Sequence, residues 1–391
     1  MVSAYYKPAS IYGGPVRSVS ALCEGLMQSN AQVTVLTTNA NGAEALTVPT
    51  QQPVNVDGVP VYYYPRLASR LAGSYFYSPR LRQACRENIR KQDVVYICGT
   101  WTYAMLAGAT AALEAGIPFV VSPRGSFMTW SMRQKRLKKR VYLALLERRL
   151  MNGAAAIHCT SSLEQQQLGT WGFRPPSVVL PNGLDLTPFG RLPERGKLRR
   201  ALSVPADGTL SLFVGRLHQE KRLDLMIEAF AMVARIMLNA HLLIVGPEGD
   251  GSGKKAQKQV HELGLSQRVH FAGLLTGMDL LQAYADTDLQ VLLSHRESFA
   301  MVVAEAMAAD LPVLVTEQVG LAAEVAKAGA GFCVAADKEK IAGAWVEMLL
   351  SPELRQEMGR KGGNLARRQF ASEVVAAQMF KFLSSLPASK R

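Results

Sequence analysis

Glu297 and Glu305 are separated by seven residues, Ser298, Phe299, Ala300, Met301, Val302, Val303 and Ala304, none of them charged. An apolar run from Leu289 to Leu293 ends in a polar turn that holds Glu297, and an apolar-periodic stretch follows. The pattern reads as strand, loop, helix. Glu297 then stands at the helix entrance and Glu305 two turns further in, about 12 Å along the axis. Eight steps of 100° bring both acids back to nearly one face. Phe299, Met301, Val302, Val303, Ala306 and Met307 make this a buried helix, so a carboxylate at 305 is costly unless a polar or charged group answers it. A plainer alternative has Glu297 as a cap and Glu305 in a salt bridge.

The second chemistry-bearing group is Gly215-Arg216-Leu217-His218-Gln219-Glu220-Lys221-Arg222, directly after the apolar run Leu210 to Val214. Preorganised cations such as Arg216 and Lys221 stabilise negative charge on a bound group, and do so best where water is excluded. Two surface cations near a helix start would be the bland alternative, but a cation there opposes the helix dipole. A third group is Tyr12-Gly13-Gly14-Pro15, followed by Val16, Val19, Leu22 and Leu26 at helical spacing. Gly13 and Gly14 let backbone N–H groups approach a phosphate at the helix N-terminus, although a plain turn satisfies the same residues. Arg124, in Ser122-Pro123-Arg124-Gly125-Ser126, has either an active-site role or a structural one, such as pairing with a carboxylate.

These residues must be positioned by the elements around them. Strand-like runs (32–38, 59–64, 94–98, 117–122, 154–159, 178–180) alternate with helical ones, and a second alternating set runs from Leu210 onward. That rhythm predicts parallel sheets covered on both faces, an α/β fold with ligands beyond the carboxyl ends of the strands. Ser161 and Glu164 read as a capping box. Asp286-Thr287-Asp288 could pass for a metal-binding acid pair, but it precedes a strand and reads as a turn. Residues 131–151 form a basic helix in which Arg133, Lys135, Arg136, Lys138, Lys139 and Arg140 accompany an apolar stripe of Leu137, Val141 and Leu145. It is either a solvated helix with one face in the core or a surface for anionic lipid or a lipid-linked pyrophosphate acceptor.

Composition narrows the classes. The chain has 391 residues, enough for two or three domains, with 48% hydrophobic and 19% charged residues. Its 44 Lys and Arg against 31 Asp and Glu give a net charge of +13, which favours an anionic partner. The five cysteines are scattered, which fits reduced buried thiols in a cytoplasm, and the histidines have no zinc spacing. No apolar run is long enough to cross a bilayer and no signal-peptide core is present, so a cytoplasmic location is expected. Aromatic residues are 7% with no stacking array beside the basic run, which argues against nucleic acid. A nicotinamide-dependent oxidoreductase would share the α/β rhythm but lacks its Gly-x-Gly-x-x-Gly after the first strand.

Glu297-x7-Glu305 with Ala306-Met307-Ala308 and the Leu311-to-Val315 strand, the Gly215-Arg216-(x)4-Lys221 turn and the Pro181-Asn182-Gly183-Leu184-Asp185 turn together resemble family 4 retaining glycosyltransferases of the GT-B fold. The resemblance spans nearly the whole chain. It implies two Rossmann-like doubly wound parallel-sheet domains facing a central cleft: residues 1–187 on the acceptor side, 188–371 for the nucleotide sugar, and 372–391 as a helix crossing back with a short tail expected to be disordered. The short first strand then implies that upstream residues are missing from this start. By the same resemblance Glu297, with the backbone of Ser298, Phe299 and Ala300, meets the donor sugar, Glu305 the ribose, and Arg216 and Lys221 the diphosphate of a UDP- or GDP-linked sugar. Gly13 and Gly14 face that diphosphate. The family's usual glycines are replaced here by Ser298 and Ala300, and its histidine by Arg124. Catalysis without a metal or further cofactor is expected, on a lipid-linked or polysaccharide acceptor at the inner face of the membrane, or on a soluble small-molecule acceptor.

Overall fold

The computed structural model describes residues 1–67 and 75–387, so the tail 388–391 lies outside the described residues. The chain forms two compact units, one of Met1–Leu184 with the residues from Ser372 on, the other of Asp185–Ala371. The first unit ends slightly before the expected position 187.

In the first unit the strands are β1 (Val2–Ser3), β2 (Val35–Thr38), the small hairpin β3 (Ala40–Asn41) with β4 (Glu44–Ala45), β5 (Pro53–Val56), β6 (Val59–Tyr64), β7 (Val95–Cys98), β8 (Phe119–Ser122), β9 (Ala156–Cys159) and β10 (Ser177–Val179). Among the described residues they build an eight-stranded sheet in the order β10-β9-β8-β7-β1-β2-β6-β5. Its two faces are both buried, because side chains alternate across a strand. Val95 and Ile97 of β7 enter one apolar cluster, Tyr96 and Cys98 the other. The sheet is parallel except at its edge, where β5 pairs antiparallel with β6 through Asp57 (φ 50°) and Gly58 (φ 84°). Two consecutive left-handed residues make the tight hairpin turn that an Asp-Gly pair favours.

Two local expectations change. Ser161 caps its helix by accepting from Glu164 N at 3.2 Å, but the Glu164 carboxylate reaches Thr160 N and Oγ1 and Gly125 N rather than closing a capping box. The basic stretch is not one helix. It breaks at Lys135, whose φ of 51° is left-handed, into Thr129–Arg133 and Arg136–Tyr142, then a π turn Leu143–Glu147 and a last turn Arg148–Asn152.

The second unit carries, among the described residues, a six-stranded sheet: β11 (Thr209–Val214), β12 (Ala240–Val245), β13 (Val269–Gly273), β14 (Leu289–Leu292), β15 (Val313–Thr316) and β16 (Gly331–Val334). All pairs are parallel and the order is β13-β12-β11-β14-β15-β16. The chain winds outward from β11 to β13, returns to the middle as β14, and winds the other way. The strand order therefore reverses between β11 and β14, and a crevice opens at such a reversal beyond the carboxyl ends. In the first unit the reversal lies between β1 and β7.

Candidate active site

The loops after β11 and β14 meet at the reversal in the second unit. Lys221 ends a short 3-10 turn, Gln219–Lys221, and its ammonium forms an ion pair with Glu297 Oε1. Both side chains are mostly buried, 18% and 17% exposed, where an ion pair is less screened than at the surface. Ser294 Oγ donates to the same carboxylate oxygen at 3.1 Å. The two loops are joined twice more. His295 N donates to Glu220 O at 2.8 Å, and Arg296 Nε pairs with Glu220 Oε1 at 2.6 Å. Neighbouring acid and base residues thus alternate across the junction, Glu220 to Arg296 and Lys221 to Glu297.

Glycines let the backbones come this close. At Gly246 (φ 148°), at the end of β12, an added Cβ would lie 1.8 Å from Gly215 O. At Gly215 it would sit 3.7 Å from Lys221 Cε, so the lysine stem passes directly over the residue before Arg216. Arg216 itself is exposed, and its Cγ and Cδ rest against Gly249. Lys221 and Glu297 therefore meet directly, while Arg216 lies on the same loop after β11 with its stem against Gly249.

Glu305 and Phe299 sit differently from a simple open site. Glu305, on helix Met301–Ala308, is 1% exposed, and Tyr284 Oη donates to its Oε2 at 2.9 Å, which answers the burial cost. Phe299 is also 1% exposed and packs edge-on against Phe370 at 5.4 Å, so only its backbone can serve a ligand. Ala300 holds φ 80° and ψ 73° as the residue before the helix, a conformation natural to glycine. Glu297 N donates to Gln318 O at 3.1 Å, and a Cβ at Gly320 would come within 2.3 Å of Ser298 O. The 317–320 loop is the floor on which Glu297 and Ser298 rest.

In the first unit Gly13 (φ 67°) closes the turn Ser10–Tyr12 and precedes helix Gly14–Gln28, which has no side-chain cap and has Pro15 in its first turn. Arg124 is tied into the first unit by side chains other than the expected carboxylate. Its buried guanidinium donates to Asn182 Oδ1, to Ser18 Oγ at 3.4 Å and to Tyr96 Oη at 3.3 Å, clamping the end of β8 to helix Gly14–Gln28 and to the Pro181–Asp185 turn. His158 beside it bridges Tyr96 Oη at 2.5 Å and Leu180 O at 2.8 Å, and burial with the nearby Arg124 charge lowers it to about 3. Asp286 ends the helix Gly277–Asp286 and Asp288 directly precedes β14, so both acids lead into the strand, as expected. Asp286 accepts from Gly196 N and Leu198 N, and Asp288 pairs with Arg195 and Arg199.

The basic segment is a surface. Leu137, Val141 and Leu145 are 78%, 51% and 78% exposed, so the apolar stripe is not in the core. Arg133, Lys135, Arg136, Lys138 and Arg140 are exposed around it. Lys139 departs from the group: it turns inward, donates to Ser131 O at 2.6 Å and stands 5.9 Å over the Trp101 ring. Among the described residues no helix is long and apolar enough to cross a membrane. Sequence reasoning missed Ser294, Glu220, Arg296 and Tyr284; the partners of Glu220, Arg296 and Tyr284 are remote in sequence, whereas Ser294 lies three residues before its partner Glu297 and could have been found by that proximity.

Comparison with known proteins places two family matches side by side. Glycosyl transferase 4-like domains match residues 13–183, and glycosyl transferases group 1 match residues 194–364. A D-inositol 3-phosphate glycosyltransferase of Kineococcus radiotolerans is 32% identical over 194 residues, 47% of this chain and 45% of that protein, so the match spans less than half of this curated relative. Among solved structures, sucrose-phosphate synthase from Thermosynechococcus elongatus superposes with a TM-score of 0.78 at 21% identity, over 96% of this chain and 94% of the other. The Anabaena protein HepE in complex with UDP and glucose gives 0.74 at 22% identity, over 99% and 100%.

Proposed function

Since the chain belongs to the family 4 glycosyltransferases with the GT-B fold, we propose that it moves a sugar from a UDP- or GDP-linked donor to a lipid-linked or polysaccharide acceptor, with retention of anomeric configuration. The observation that carries this reading is the junction of Lys221 and Glu297 at the strand reversal of the second unit, with Arg216 beside it. UDP and glucose bound to the HepE neighbour agree with it.

In this reading Arg216 and Lys221 hold the diphosphate and Glu297 gives up part of its ion pair to a sugar hydroxyl. Glu305, its carboxylate fixed by Tyr284, takes the ribose hydroxyls. The bond from the anomeric carbon to the phosphate oxygen breaks as the acceptor oxygen bonds the same face of that carbon. The acceptor's proton passes to the departing phosphate oxygen, and the two cations carry the charge that develops there. Gly13 and Gly14 are a further phosphate-binding turn in the proposal. No protein base and no metal is assigned a step.

The acceptor class rests on the exposed Leu137, Val141 and Leu145 stripe within its ring of cations, which fits peripheral docking on an anionic bilayer at its cytoplasmic face. Lys135, Arg136, Lys138 and Arg140 would together contribute about 4 kcal/mol, enough for reversible docking. Incubation with UDP- and GDP-sugars and a lipid extract should release nucleotide, and NMR of the product should show the donor's anomeric configuration. Inverted product removes the proposed mechanism, and absence of nucleotide release with every donor removes the function.

A further inference from the structure

The strand reversal of the first unit lies between β1 and β7, and the turn that leaves β7 there is under unusual stress. Gly99 has φ 88°, and Trp101 has φ 62°, a left-handed conformation that a bulky residue adopts at a cost. Thr100 Oγ1 and Trp101 Nε1 are buried with no hydrogen-bond partner. One group holds the turn from behind: Glu147 Oε1 accepts from Trp101 N at 3.0 Å. Glu147 is fully buried, its Oε2 has no partner, and it lies in the π turn Leu143–Glu147. π turns inside helices recur at functional sites.

Native structures pair nearly all buried polar atoms, so three unpaired ones on a strained turn and its support need a reason. Folding accounts for Glu147 Oε1 through the Trp101 N–H but not for the Thr100 hydroxyl, where a valine would be cheaper. Ligands of parallel sheets bind where this turn stands. Trp101 is half-buried, and its ring lies near Phe127 at 5.1 Å and Tyr142 at 5.7 Å, with the Lys139 ammonium over it. A half-buried indole beside unpaired hydroxyl and N–H groups matches a sugar ring, which is apolar on its C–H face and needs hydrogen bonds at its rim.

Resting on the glycosyltransferase reading above, we propose that the Gly99–Trp101 turn recognises the hydroxyl-bearing sugar of the acceptor, and that Glu147 is the positioning residue that fixes the turn through the Trp101 N–H. Docking of the sugar rearranges the strained turn and gives Thr100 Oγ1 and Trp101 Nε1 their partners. Burial, opposed only by the Trp101 N–H, lifts the Glu147 carboxyl to about 7, so its charge changes in the working range. Among the described residues the ionisable groups facing it are Tyr75 and Tyr142, whose hydroxyls bond one another at 2.9 Å and are both pushed up by burial, with Lys139 across the Trp101 ring.

The test uses the full chain, UDP-glucose and GDP-mannose as donors and a panel of octyl glycosides as acceptor probes. Glu147→Ala and Thr100→Val should each raise the acceptor KM about tenfold, the loss of roughly one hydrogen bond's worth of positioning, while the donor KM stays within about twofold. Thr100→Val removes a buried unpaired hydroxyl, so its melting temperature should hold or rise while acceptor use falls. A structural role alone would leave the acceptor KM unmoved. Glu147→Gln keeps an acceptor for Trp101 N and should restore the KM, but should abolish the step in acceptor KM that the wild type shows near pH 7. Unchanged acceptor KM in Thr100→Val and no such step in the wild type overturn the proposal. Failure of the wild type to use any donor with any probe instead removes the reading on which it rests.

Discussion

Lys221 and Glu297 neutralise one another, so neither leaves a lone charge among half-buried atoms. Truncating one exposes the other's desolvation cost, as removal of one member of a buried pair does. Lys221→Ala should lower turnover by about a hundredfold or more, as loss of one preorganised charge does, while circular dichroism shows the fold intact. A loss below tenfold would remove Lys221 from the diphosphate site. His158 gives a residue-scale prediction of another kind. Its folded value is depressed from 6.5 to about 3 by burial and by Arg124, so the unfolded chain takes up the proton first as pH falls. Stability from this group is complete above about pH 6.5 and is lost progressively toward 3, roughly 2 kcal/mol by pH 5. The change in urea stability between pH 7 and pH 5 should differ by about this amount between the wild type and His158→Phe, since Glu147 and the other titrating groups are common to both proteins.

The loops, more than the helices, decide where the functional groups stand. Gly320 supports Ser298 so closely that Gly320→Ala must push the 297–300 loop away, since the obstacle is backbone rather than a movable side chain. It should cost about 1 to 3 kcal/mol in denaturant unfolding and weaken nucleotide binding together with it. Ala300→Gly, which relieves the left-handed alanine, should bind nucleotide at least as well. On the basic segment, Gln at Lys135, Arg136, Lys138 and Arg140 with Ser at Leu137 and Leu145 should abolish flotation with anionic vesicles; retained flotation would discard the docking surface. Much of this was legible locally. The Glu297-to-Glu305 spacing, the Gly215-to-Lys221 turn and the Ser161 helix start are short-range patterns, and the Ser161 hydroxyl accepts from Glu164 N. Periodicity found the Leu137, Val141 and Leu145 stripe but carries no information on which side meets the core. The structure turns it to solvent.

At the scale of the molecule the two units repeat one device, a parallel sheet whose strand order reverses at the middle, with the functional loops at the reversal. That reversal explains why the Lys221–Glu297 pair was not legible: 76 residues part them, and only the pairing of β11 with β14 brings their loops together. Arg124 illustrates the converse, since its loop sits where ligands bind while its guanidinium is spent on Asn182, Ser18 and Tyr96. In the proposed reading, salt should weaken lipid docking by the exposed basic segment more than nucleotide binding at the half-buried Lys221–Glu297 pair. The most direct measurement is isothermal titration of the full chain with UDP and with GDP, alongside Arg216→Ala and Lys221→Ala. One nucleotide should bind the wild type at one site per chain, and each substitution should weaken it by about tenfold or more. Binding of neither nucleotide, or equal binding by all three proteins, would contradict the assignment of this junction as the donor site.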